Sequence, residues 1–143
     1  MTEADRGLVR RKLALIARNL DDLGPIAGLS VADFVGDRFR HKGTERLLQE
    51  VIEAAVDVNL HLLRVLGRGS ATDYYTSFIA LGEARVLPSD LAERLAPSAG
   101  VRNRLIHEYD DIDDAAILAA VVEARALFPR YIRAVEDFLA QDA

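Results

Sequence analysis

The chain has 143 residues and no cysteine, which excludes a disulfide scaffold and every thiolate nucleophile or metal site. Half of its residues are apolar and 29% are charged, the balance of a globular protein that buries its own core, here read as one domain over 1–143. A net charge of −5, from 18 basic and 23 acidic residues, excludes nucleic-acid binding through bulk charge but leaves room for a local basic cleft.

Helix formers dominate and strand-like alternation is nearly absent, so the expected fold class is all-α. The first helix is predicted from about Asp5 to Leu23, with a stripe of Leu8, Leu15, Ile16, Leu20 and Leu23. Gly24 and Pro25 end it. Ser30 reads as the cap of a short helix, with Asp33 as its reciprocal partner, Leu29 and Phe34 as a staple, and Gly36 as its end.

The longest helix is predicted from Asp37 to Leu66, stopped by Gly67 and Gly69, with Gly43 and Thr44 as its weak point. Its apolar surface is too broad for one wet face, which predicts a central element packed on two sides or shared with a second subunit. A helix over Asp73–Glu83 carries Tyr74, Tyr75 and Phe78, where core and rim packing is preferred over a stacking platform. Pro88 opens a short turn through Leu95. Ser98, after Pro97, reads as the cap of a further helix that frays near Asp110 and Asp111. The last helix starts near Asp113 or Asp114 and contains Pro129, expected to kink it.

The segment Val101-Arg102-Asn103-Arg104-Leu105-Ile106-His107-Glu108-Tyr109 carries the chemistry. On an ideal helix, with Arg102 at zero, Asn103 falls at about 100°, His107 at about 140° and Tyr109 at about 340°. Val101 and Leu105 mark the buried side, so polar groups converge on a face away from the core. An imidazole that titrates near neutrality can take a proton from a ribose 2′-hydroxyl or give one to the leaving 5′-oxygen. A guanidinium can hold the phosphate and the extra charge of its transition state. Asn103 sits four residues before His107, placed to orient the ring or contact the phosphate. The bland readings are a surface histidine, and arginines paired with the acidic run Glu108, Asp110, Asp111, Asp113 and Asp114.

In these residues the chain resembles the HepT-like toxins of the HEPN superfamily. Arg102, Asn103 and His107 match the superfamily's Arg–polar–His pattern, and Tyr109 matches the tyrosine that the HepT branch adds two positions beyond the histidine. The stretches from Arg11 to Leu13, from Glu45 to Leu62 and from Gly82 to Pro88 fit as well, so nearly the whole chain is covered. The resemblance implies a HEPN-like up-and-down helical bundle with a long central helix. It implies the toxin of a type VII toxin–antitoxin system: a cytoplasmic homodimer that joins through its long helices and cleaves mRNA or tRNA without a metal. It also implies a minimal nucleotidyltransferase (MNT) antitoxin that transfers AMP from ATP onto Tyr109. On this reading the toxin has no intrinsic cofactor. The alternative is a non-catalytic helical module that recruits or regulates a nucleotidyltransferase.

Among other residues, Arg38, Arg40, Lys42 and Arg46 form the densest basic patch and, with Arg104, are the candidates for positioning RNA phosphates; a solvated helix start is the bland reading of the patch, which includes His41. Asp57 and His61 are polar positions in an apolar stretch and candidate supports for the site: Asp57 is expected either to pair across a dimer or cap a helix, or to act near Arg102, and His61 either as a structural histidine or lining a dimer cleft. Asn59 equally requires a partner. No metal-binding spacing, Gly-rich phosphate loop or membrane span is present in the sequence.

Overall fold

The computed structural model describes residues 1–69, 71, 73–108 and 111–141. Among them every regular element is an α-helix: α1 (Glu3–Asp22), α2 (Val31–Val35), α3 (Arg38–Val65), α4 (Tyr74–Glu83), α5 (Ser89–Leu95), α6 (Ser98–His107) and α7 (Asp114–Gln141). No described helix is long and apolar enough to cross a membrane.

The helix starts follow local chemistry. Thr2 caps α1, and the Asp5 side chain returns the bond to the Thr2 backbone, which starts this helix earlier than its apolar stripe suggests. Val9, Leu13, Ile16 and Leu20 form its buried face, while Leu8 and Leu15 lie at the margin. Ser30, Asp37 and Asp73 each accept a backbone N–H at the starts of α2, α3 and α4. The expected Ser98 cap does not form: Pro97 occupies the cap position without a side-chain bond. The carbonyls of Ala96 and Pro97 already accept from Ala99, Gly100 and Val101, leaving the Ser98 hydroxyl no capping role. Helix α3 runs unbroken past Gly43, where the Thr44 hydroxyl donates to the Arg40 carbonyl. Pro129 lies inside α7, which continues on both sides of it.

Helix α3 is the centre of the bundle. It packs on α1, α4 and α6, with α2 and α7 at its margins. Its broad apolar surface is therefore consumed within one chain and does not by itself demand a second subunit. Helix α4 approaches α5 at Gly82, where a Cβ would lie 2.8 Å from that of Ala92; only glycine permits this spacing.

Polar groups inside the core link three helices. Tyr131 of α7 is fully buried, packed edge-on against Phe78 and Phe128. Its hydroxyl lies 2.6 Å from Asn59 Oδ1 and 3.0 Å from the Ala55 carbonyl, both on α3. Burial pushes this phenol well above its ordinary pKa, so it stays a donor. Asn59 Nδ2 donates to Ser77 Oγ at 3.0 Å, and that hydroxyl donates to the Tyr74 carbonyl on α4 at 2.7 Å. Removing one member strands its partners without water. Tyr131→Phe is expected to lower unfolding free energy by about 1–2 kcal/mol in urea titration. Combined with Asn59→Ala, its effect is expected to be clearly non-additive.

A second tie joins α1 to α3. His61 Nε2 and Asp5 Oδ1 lie 2.8 Å apart. Hydrogen bonds from the Thr2 backbone and hydroxyl, with a smaller contribution from His61, hold the Asp5 carboxyl at about 2, below its usual 3.8. A depressed folded-state pKa stabilises above the unfolded value and is lost as pH falls through the folded one. The difference in unfolding midpoint between the wild type and Asp5→Asn is therefore expected to be full near pH 5 and to vanish towards pH 2, as followed by circular dichroism.

Candidate functional site

Helix α6 presents the motif. Leu105 is buried and Val101 half-buried, which aims Asn103, Arg104 and His107 outward. Arg102 lies at the boundary, with its side chain 21% exposed. Its guanidinium is 4.7 Å above the ring of Tyr74. Its Nε donates to Glu53 Oε1 on α3 at 3.3 Å, and one terminal nitrogen donates to Asn103 Oδ1 at 3.4 Å. Glu53 Oε1 also accepts from Gln49, which orients the carboxylate. An aromatic face, a carboxylate and an amide thus fix this cation while leaving part of it open to solvent.

That open side borders a groove of about 580 Å³ between the start of α4 and the first turns of α6. Arg102 and Asn103 line it, together with Asp73, Tyr74, Tyr75, Ala99 and Gly100. His107 is exposed at the end of α6, outside this lining, and forms no hydrogen bond or ion pair among the described residues. The structure therefore brings Arg102 and Asn103 together and sets His107 just over one helical turn from Asn103, on the solvent side.

The helix ends sooner than its sequence pattern suggests. Glu108, at the C-cap, leaves helical geometry. Tyr109 itself lies outside the described residues, as does Asp110. Ile112 still reaches the buried side, lining a small pocket with Val101, Leu105 and Ile117.

The acidic run is partly committed to structure. Asp113 accepts from the Ala115 N–H at the start of α7. Asp114 pairs with His41 at 2.6 Å, and His41 also faces Glu45 at 3.3 Å and packs on Phe34. His41 is thus a clamp between α3 and α7. These contacts also orient α6: Arg102 is tied to Glu53, and Asp114 to His41, twelve residues earlier on α3. The chain from Arg102 to Asp114 therefore travels back towards the basic start of α3.

The basic patch there is unevenly available. Arg40 donates to the Asp33 carbonyl, Arg46 pairs with Glu50 at 3.2 Å, and Lys42 lies 3.7 Å from Glu45. Arg38 is exposed and makes no hydrogen bond or ion pair among the described residues. Arg104 is exposed on α6. Asp57 and His61 do not support Arg102: Asp57 pairs with Lys12 at 2.9 Å, and His61 with Asp5. Both face α1, because each four-residue step along α3 turns about 40°.

The same drift explains Glu53. Glu45, Gln49, Glu53, Asp57 and His61 recur every four residues along α3, a polar row that winds past α6 before it reaches α1. That row is the one sequence signal for Glu53. The role of Tyr74 beneath Arg102 has none, because a tyrosine in the first turn of a helix reads as rim packing. Among the described residues no cluster of metal-ligating side chains exists.

Residues 16–136 match the family described as "Ribonuclease HepT-like". A protein named tRNA nuclease HepT, from Aphanizomenon flos-aquae, is 38% identical over 139 residues, covering 97% of this chain and 95% of that protein. Among solved structures, the tri-AMPylated HEPN toxin of Shewanella oneidensis in complex with its MNT antitoxin superposes with a TM-score of 0.81 at 20% identity, over 96% of this chain and 99% of that one. The cytosolic protein YutE of Bacillus subtilis, of unknown function, gives 0.84 at 12% identity, over 96% and 92%. At these identities the two structures establish a shared fold alone. Arg102, Asn103 and His107 all fall within the matched span, and the match takes in most of the chain: it belongs to the ribonuclease HepT-like family.

Proposed function

We propose that this chain is an RNA-cleaving toxin, acting as a two-fold dimer and silenced by a nucleotidyltransferase antitoxin. The observation that carries the reading is Arg102: a guanidinium held by Glu53 and Tyr74, yet bordering an open groove beside Asn103. A preorganised cation costs no reorganisation when charge develops on a bound phosphate. The name of the Aphanizomenon flos-aquae relative favours tRNA over mRNA as the substrate.

In the proposed reaction the imidazole of His107 takes the proton of a ribose 2′-hydroxyl. That oxygen attacks the adjacent phosphorus, and the bond to the 5′-oxygen breaks. The leaving oxygen takes a proton from solvent water, the imidazolium of His107 then releases its proton to solvent, and the products are a 2′,3′-cyclic phosphate and a free 5′-hydroxyl. Arg102 stabilises the charge on the non-bridging oxygens, and Asn103 orients the phosphate or the ring. The nucleophile belongs to the RNA, so the step calls on no metal. Arg38, Lys42 and Arg104 track the RNA backbone beyond the cleavage point, and Arg40 and Arg46 flank that track.

The MNT antitoxin in the Shewanella complex, and the tri-AMPylated state of its toxin, support adenylylation as the silencing step here. ATP would supply AMP to the Tyr109 hydroxyl with release of pyrophosphate. The added phosphodiester carries a negative charge and the adenosine fills space, so both repulsion and bulk oppose RNA. A second reading, a non-catalytic module that recruits the nucleotidyltransferase, is favoured by one feature: His107 does not line the Arg102 groove. Purified protein that leaves RNA intact and is harmless on overexpression would establish that second reading.

His107→Ala is expected to lower the cleavage rate of a tRNA substrate by about 10²–10⁴-fold while retaining the wild-type unfolding midpoint. Arg102→Lys is expected to lose about 10²-fold or more, because an ammonium cannot reproduce the fork held by Glu53 and Asn103. Gel assays at saturating RNA read both. Tyr109→Phe is expected to abolish the AMP mass shift after incubation with antitoxin and ATP; a shift that persists on this variant would reject Tyr109 as the acceptor.

A further inference from the structure

The groove beside Arg102 has two unlike walls. On the α4 side stand Tyr74, committed beneath the guanidinium, and Tyr75, which is 51% exposed and has no ring partner among the described residues. On the α6 side the lining comprises the small residues Ala99 and Gly100, followed by Arg102 and Asn103. A Cβ added at Gly100 would meet only Arg104 Nη1, at 3.6 Å, so internal packing does not require glycine there. An exposed aromatic ring and small residues thus line the same groove, a lining that leaves room for a flat group. The groove's volume, about 580 Å³, lies within the ordinary range for small-ligand sites.

Charge decides what kind of flat group fits. Asp73 borders the same wall, and its carboxylate accepts the Thr76 N–H at 2.7 Å, which keeps it ionised and lowers its pKa. An anion on that wall repels a second phosphate and tolerates a neutral base. The cation at the other end, Arg102, takes the phosphate. Both features line one groove, as the base and the phosphate of a single nucleotide require.

We propose that Tyr75 is a base-stacking, specificity-determining residue: an unpaired nucleobase next to the scissile phosphate lies in the slot between the Tyr75 ring and the Ala99–Gly100 turn, so the chain selects RNA loops and single strands over duplex. This rests on the reading of the chain as an RNA-cleaving toxin. Stacking is indifferent to base identity because every base has a π-face, so the selection is for an unstacked conformation rather than for a sequence. A base inside an A-form helix has both faces covered and cannot enter the slot.

The test compares Tyr75→Ala, Tyr75→Phe and Gly100→Val on a hairpin RNA with an unpaired loop, on a fully paired duplex, and on a 2′-O-methylated copy of the hairpin that cannot be cleaved. Tyr75→Ala is expected to raise both the KM for the hairpin and the Kd for its methylated copy about tenfold or more. Phe at this position is expected to restore both, since stacking needs the ring and not the hydroxyl. Gly100→Val, which fills the slot from the other side, is expected to weaken binding as Ala does. The duplex is expected to be cut far more slowly than the hairpin by the wild type. Equal cleavage of duplex and hairpin, a Phe variant no better than Ala, or a fall in kcat with KM unchanged would overturn the proposal. Loss of the dimer in sedimentation velocity with Tyr75→Ala would also overturn it, by assigning the ring to the subunit interface. The two readings fail separately. Wild-type protein that binds the methylated hairpin in a Tyr75-dependent way but leaves the unmodified hairpin intact removes the nuclease and keeps the slot. Cleavage that is indifferent to Tyr75 removes the slot and keeps the nuclease.

Discussion

A run of hydrogen bonds through the core, from the Tyr131 hydroxyl to Asn59, to Ser77 and on to the Tyr74 carbonyl, joins α7, α3 and α4. Its last member is the residue whose ring lies beneath Arg102. Because buried polar groups must be matched, this relay admits one register of the three helices, and a slip of a turn would strand several groups at once. Apolar contacts supply most of the stabilisation but are forgiving of small shifts. The relay restricts those shifts where they matter most, at the start of α4.

The cation at the site is held on the same principle. A partly buried arginine with one partner would pay desolvation for little return, whereas Arg102 has an aromatic face, an oriented carboxylate and a neighbouring amide. Gln49 holds Glu53 in turn, so the arrangement is stiff two residues back from the groove. Only the remaining donors are free to meet a ligand. This division of labour, with some donors spent on placement and others left open, is what a phosphate site requires.

Part of the acidic run at the far end of α6 is engaged within the fold. Asp114 is matched by His41 and Asp113 serves the first turn of α7, so two carboxylates of that run are occupied within the fold. The contacts that occupy them also draw this end of the motif towards the start of α3, where Arg38 stands exposed.

Much of the architecture was legible in the residues alone. The capping side chain at Ser30, the glycines after Leu66 and the 3.6-residue stripes act through neighbours in sequence, so they mark helix bounds without reference to the rest of the fold. The motif from Arg102 to His107 is local in the same sense. The first turn of α1 was not visible, because its cap precedes the apolar stripe, and Ser98 misled, because a preceding turn had already satisfied the amides it would have capped. Everything that joins distant segments was decided by packing: Glu53 and Tyr74 on Arg102, Asp57 and His61 turned towards α1 instead, and the broad face of α3 closed by its own chain. Those outcomes depend on the rotation and height of one helix against another, which side-chain volumes across the whole core set together and which no window of sequence contains.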